Sequence, residues 1–232
     1  LLTSDEYRNI PSSVINTNIT VAQLQAIPTT TVDDFNASDI SNMDISLVNL
    51  LTPTQVQTIP NAAFSGFQTS KIAAFDVSFI GSLLQAQVRS FAVDNTPSQL
   101  QSLEVKDLSN ILDLSDNQIS NLLPAQVTSL STGDIAALSA NSKISGFLQT
   151  SNQIGGITVT QIPHVTDAEI DALSDAQVAG LTTATIQALD ISQVEALKEQ
   201  VADLTPDASS NFPLAVSQIP FLHTSLVLPS VN

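Results

Sequence analysis

The stretch Thr52–Phe67, TPTQVQTIPNAAFSGF, sets Val56 and Ile59 three residues apart and repeats that pair eight residues on as Phe64 and Phe67. An α-helix repeats every ~3.6 residues and a strand every ~2, so a period of eight belongs to neither alone. The residues around the pairs explain it. Thr52 can accept from the third helical N–H, and Gln55 can reach back to the Thr52 N–H, which is the reciprocal pattern that starts a helix. Pro53 suits the first helical position, where its missing N–H costs nothing. Pro60 then forces Ile59 out of helical conformation and makes a corner. Eight residues are one capped, short helix and a turn.

The same ladder runs outward in both directions. Upstream stand Tyr7/Ile10, one residue out of phase, then Leu24/Ile27 and Val32/Phe35. From Ile40/Met43 and Val48/Leu51 it passes through the opening stretch to Ile72/Phe75, Ile80/Leu83 and Val88/Phe91. After an insertion at Asp94-Asn95 it resumes as Leu100/Leu103 and Leu108/Ile111. Beyond a second slip come Ile119/Leu122, Val127/Leu130, Ile135/Leu138 and Ile144/Phe147, and a last run covers Ile170/Leu173, Val178/Leu181, Ile186/Leu189 and Val194/Leu197. Helix-start signatures recur at Thr3–Glu6, Thr20–Gln23, Thr96–Gln99, Thr166–Glu169 and Ser174–Gln177. Two fused octads still keep their apolar positions within an arc of about 140°, whereas a third loses the face, so helices of one or two octads are expected. Helices this short are marginal alone and must stack. The pattern therefore predicts a mainly α fold over residues 1–204, an α-solenoid or superhelix of either hand. An ordinary helical bundle with shared caps is the alternative.

Two stretches fall outside the ladder. Within 148–165 the run Ile157-Thr-Val-Thr-Gln-Ile162 alternates and is β-branched, which predicts a small β element near 154–162, with Gly155-Gly156 as a hairpin turn or a plain linker. From Ala208 to Asn232 there is no Asp, Glu, Lys or Arg, and Pro213, Pro220 and Pro229 interrupt any helix. Residues 205–232 are thus expected to be extended and buried, either capping their own stack or docking into a neighbour. The residues that would make the contact are Phe212, Leu214, Val216, Ile219, Phe221, Leu222, Leu226, Val227 and Leu228.

Composition narrows the function. Of 232 residues, 43% are hydrophobic and only 12% charged, and 22 acids against 6 Lys and Arg give a net charge of −16. Six scattered cations build no nucleic-acid or anionic-membrane surface. There is no Cys, which excludes disulfides and thiolate metal sites, and no apolar run of membrane-spanning length, so no membrane insertion is expected. The chain begins Leu1-Leu2-Thr3 without Met or a signal-like segment, as a processed form or fragment would. His164 and His223 have no partner at metal-ligand spacing, and Asp113–Asn117 lacks the central Gly of a calcium loop and has Pro124 where its Glu belongs. No nucleophile elbow, phosphate loop or dinucleotide fingerprint is present, so no catalytic residue, cofactor or metal is assigned and no enzyme is expected. Two N-glycosylation sequons, Asn18-Ile-Thr20 and Asn36-Ala-Ser38, combine with a Ser/Thr-rich, low-charge surface to favour an extracellular or cell-surface glycoprotein.

The unit apolar-x-x-apolar-(Ser/Thr/Pro)-x-x-Gln, as in LTPTQVQTIPNAAF and LSDAQVAGLTTATIQAL, resembles the superhelical repeats of the mesothelin, stereocilin and otoancorin family. It also resembles octad arrays of large bacterial surface proteins. The likeness covers most of residues 2–204 and implies matrix attachment and adhesion. The expected function is a non-enzymatic structural protein that associates with itself into a filament or surface layer. The alternative is an adhesion module recognising an extracellular protein or glycan.

Overall fold

A computed structural model describes residues 19–94 and 97–197 of the chain. They are mainly helical, and no strand occurs among them. They fall into two compact units, one ending at Asn121 and one beginning at Leu122. Within each, the helices are short, from the three-residue 3-10 turn Leu100–Ser102 to the nine-residue helix Thr132–Ala140.

Each octad forms its own helix, and two-octad helices are absent among the described residues. The reason lies at the junctions. The residue after most apolar pairs becomes the N-cap of the next helix and takes an extended backbone, as Thr52 does with ψ 154° and Pro60 with ψ 138°. Capping ends the helix before fusion can continue it. A side-chain cap is worth ~1 kcal/mol, and a fused helix would forfeit that cap and the corner with it.

The pairs make the core. Leu24/Ile27 through Val88/Phe91 are buried without exception, and so are Leu100/Leu103, Ile119/Leu122, Val127/Leu130, Ile135/Leu138 and the four pairs from Ile170 to Leu197. At ~1.5–3 kcal/mol for each large apolar side chain removed from water, this ladder is the main favourable term. In the first unit it is reinforced by edge-to-face rings. Phe64 meets Phe67 and Phe91 at 5.4 Å, and Phe67 meets Phe75 at 4.9 Å.

The structure corrects the ladder in three places. The pairs after Leu103 are Val105/Leu108 and Ile111/Leu114, with Leu108 only half-buried, so the slip precedes Ile111 and the octads run unbroken from there through Ile135. The pair predicted as Ile144/Phe147 is Ile144/Leu148, and Phe147 instead lies partly exposed under the Lys143 ammonium at 4.7 Å. The ladder also does not stop between 148 and 165: Ile154/Ile157 and Ile162/Val165 are buried at the same period of eight.

The β element at 154–162 is therefore wrong. The Gln161 side chain accepts from the Thr158 N–H at 2.8 Å, and the Gln161 and Ile162 N–H groups both donate to the Thr158 carbonyl. That closed turn leads into the 3-10 helix Ile162–His164, and local capping overrides β-branched propensity. Gly155 has φ −63° and makes no hairpin. Gly156 is needed for close approach, since a Cβ there would stand 2.6 Å from the Pro124 carbonyl oxygen. Gly66 does the same against the Ala37 carbonyl.

Helices pack on helices three repeats away. Thr29–Val32 meets Pro53–Thr58, Ala37–Asn42 meets Asn61–Gly66, Pro124–Ser129 meets Ser151–Ile154, and Asp167–Asp171 meets Ile191–Ala196. Both glycine contacts lie at such crossings, which gives a paired test. Gly156→Ala is expected to lower stability by ~1–3 kcal/mol, the cost of overpacking. Gly146→Ala, where an added Cβ meets nothing within 4 Å, is expected to be neutral or to gain up to ~1 kcal/mol from helix propensity. Urea unfolding of the two variants distinguishes them.

Candidate functional site: the glutamine clamps

In most repeats the residue before the apolar pair sits at the third helical position, and in many of them it is buried. In the repeat at Val56 it is Gln55, and its two ends do different work. Its Oε1 accepts from the Thr52 N–H at 3.0 Å, closing the predicted capping box. Its Nε2 reaches across to the Leu24 and Ile27 carbonyls, at 3.0 Å each. Those are the backbone oxygens of the apolar pair four repeats earlier.

The same clamp recurs. Gln87 holds Val56 O and Ile59 O at 2.8 and 2.9 Å, across 31 and 28 residues. Gln193 holds Ile162 O and Val165 O across the same separations, and Gln177 holds Ser145 O and Leu148 O. Where the chain carries insertions the span in residues changes. Gln99 reaches Phe64 O and Phe67 O across 35 and 32 residues, whereas Gln118 reaches Val88 O and Phe91 O across 30 and 27. Both still reach the fourth repeat back, so the clamp counts repeats rather than residues.

Bonds in the opposite direction join repeats three apart. Gln25 Nε2 donates to Leu50 O, Asn49 Nδ2 to Ala74 O, and Arg89 Nε to Asp113 O. The core glutamines 55, 87, 118, 177 and 193 are buried, and their amides satisfy helix ends that would otherwise be orphaned. Gln23 is the exception. It caps Thr20 but is exposed, and its Nε2 has no acceptor among the described residues.

Many repeats carry another residue there, and Lys71, Thr185 and Glu169 among them still bond across repeats. Lys71 donates from Nζ to Ser41 O at 2.6 Å and Met43 O at 2.8 Å, a charged version of the same clamp. Burial lowers its pKa, and the nearby Asp44 carboxylate partly opposes this. Asp44 itself is held below the usual carboxylate range by the Ser46 hydroxyl and N–H at 2.7 and 2.9 Å. Thr185 uses its hydroxyl on Ile157 O at 3.2 Å. Glu169, 4% exposed, instead accepts the Ser145 N–H at 2.6 Å, capping the helix Ile144–Phe147 from outside. That helix follows Ser142, which has φ 55° and ends Thr132–Ala140 with a Lys143 N–H to Leu138 O bond.

The residues weighed for chemistry take structural places. His164 is exposed at the end of its 3-10 turn. Asp113 accepts from Gln85 Nε2, and Ser115 caps the helix Asp116–Ile119, so Asp113–Asn117 is a junction. Thr96, of the box expected at Thr96–Gln99, lies outside the described residues, and Ser98 and Gln101 close a box two residues on. Among the described residues no group of three or more His, Cys, Asp or Glu is placed to hold a metal ion, and no helix is long and apolar enough to cross a membrane. The described cations Lys71, Arg89, Lys106 and Lys143 are all engaged within the chain. Lys106 pairs with Glu104 at 2.8 Å, and that hydrogen bond raises its pKa. Asn36 is exposed and caps the helix Ala37–Asn42. Asn18, His223 and the segment from Phe212 to Leu228 lie outside the described residues. No protein-family model matches the chain, and no match is found among curated proteins.

Two predictions isolate the clamp. Gln87→Leu strips bonds from the Leu84 N–H and the Val56 and Ile59 carbonyls. The loss is expected to be on the order of 3 kcal/mol, since a buried polar group left unmade costs ~1–3 kcal/mol. Gln25→Leu, at an exposed bond, stays within ~0.5 kcal/mol. For Lys71 the folded pKa lies below the unfolded value, so the unfolded chain binds more protons and stability rises with pH toward 10.5. Chemical denaturation across that window should show the rise in the parent chain and its absence in Lys71→Gln.

Proposed function

We propose that the chain is a non-enzymatic structural protein of the cell exterior, an α-solenoid segment that associates with itself into a filament or surface layer. The observation that carries this reading is the clamp register. A stack in which each repeat rests on the third and fourth before it has no step that closes it, and growth continues wherever another turn is supplied. Winding of between three and four repeats per turn satisfies both sets of contacts at once. The resemblance to extracellular superhelical repeats and the scarcity of charge point the same way.

Net charge of −16 opposes association of like chains, so added salt should favour assembly by screening. Electron microscopy and light scattering of the purified chain over a salt series are expected to show elongated or layered assemblies that grow with ionic strength. Single chains at every salt and protein concentration would overturn the proposal. Deletion of residues 208–232 is expected to abolish assembly while circular dichroism retains its helicity. Retained assembly would remove that segment from the contact.

A further inference from the structure

We propose that Asn36 is an N-glycan attachment site, built so that the modified side chain still caps its helix. The inference rests on the extracellular reading above for its biological setting, and on geometry for everything else. Asn36 heads the sequon Asn36-Ala37-Ser38 and is exposed, with an extended backbone at φ −117° and ψ 176°. Its Oδ1 accepts from the Ser38 N–H at 2.8 Å and the Asp39 N–H at 3.2 Å, and Asp39 Oδ2 returns the bond to the Asn36 N–H at 2.9 Å. One end of the side chain is thus committed to the cap. The other, Nδ2, has no acceptor among the described residues.

An N-glycan needs that free end. In the transfer Nδ2 gives up one proton to the transferase's base and bonds the anomeric carbon of a lipid-diphosphate-linked oligosaccharide, whose diphosphate carrier departs with the electron pair. The amide oxygen is untouched, so both cap bonds survive. The attachment point also stands clear of the packing. The helix Ala37–Asn42 meets Asn61–Gly66 through the Ala37 backbone, which lies against Gly66, and buries Ile40 in the core. A glycan at Asn36 leaves from the exposed corner and burdens neither contact.

The test secretes the chain from a eukaryotic host in an Asn18→Gln background, which leaves Asn36 as the one sequon. Peptide mass mapping before and after amide-releasing glycosidase is expected to find Asn36 converted to Asp by the enzyme. Ser38→Ala and Asn36→Asp should each abolish the glycan. Both keep an oxygen at the cap, so the thermal midpoint should stay within a few degrees. A secreted, folded protein with unmodified Asn36 overturns the proposal. So does a glycan that lowers the midpoint relative to Ser38→Ala by more than the variants differ from each other. The compartment of the native protein is a separate readout. An intracellular address with a glycan on the secreted form would sink the extracellular reading and leave the acceptor assignment standing.

Discussion

One side-chain amide is shared between two places in this protein, and the packing follows from that sharing. The oxygen of Gln55, Gln87 or Gln118 fixes the first turn of its own helix, while the nitrogen fixes what that helix rests on. A helix of four to six residues cannot stand alone, because nucleation fixes many dihedrals for few bonds. Here the nucleus is held by an atom whose other duty is tertiary. One side chain thus supplies both the local bond and the long-range one, and it pairs backbone groups that burial would otherwise strand.

The departures from glutamine follow the same logic. Lys71 supplies more donors and so reaches Ile40, Ser41 and Met43 together. Glu169 reverses the polarity and serves an N–H where its neighbours serve carbonyls. It does so where Ser142 turns left-handed and the helix Thr132–Ala140 runs longer than the rest, which leaves the next helix without a cap of its own. The irregular helix and the irregular side chain compensate each other.

The sequence disclosed most of this, and its silences have physical causes. Apolar spacing at three and eight located nearly all of the core, and Thr52 with Gln55 located the helix starts, because both are local signals. The clamp was not legible. A glutamine that completes a capping box reads as fully explained, and nothing local says that its nitrogen reaches a carbonyl 31 residues back. Around Ile157–Ile162 the sequence misled. Alternating β-branched residues satisfy a strand and an octad equally, and only the partners of Gln161, Val127 O and Leu130 O, decide between them. Leu108 and Phe147 misplaced the pairs because inserted residues shift the phase silently, and packing rather than spacing selects which side chain goes inside.

The insertions themselves carry a wider consequence. Gln99 and Gln118 find equivalent partners although one spans 35 residues and the other 30. Loop closure depends only weakly on length, so added residues at a corner cost little while the clamp downstream is reset by its own contacts. A lineage of such chains is free to lengthen, shorten or decorate its corners one at a time. The framework would drift in sequence and keep its register, as brickwork tolerates mortar of uneven thickness provided every brick still spans the joint below.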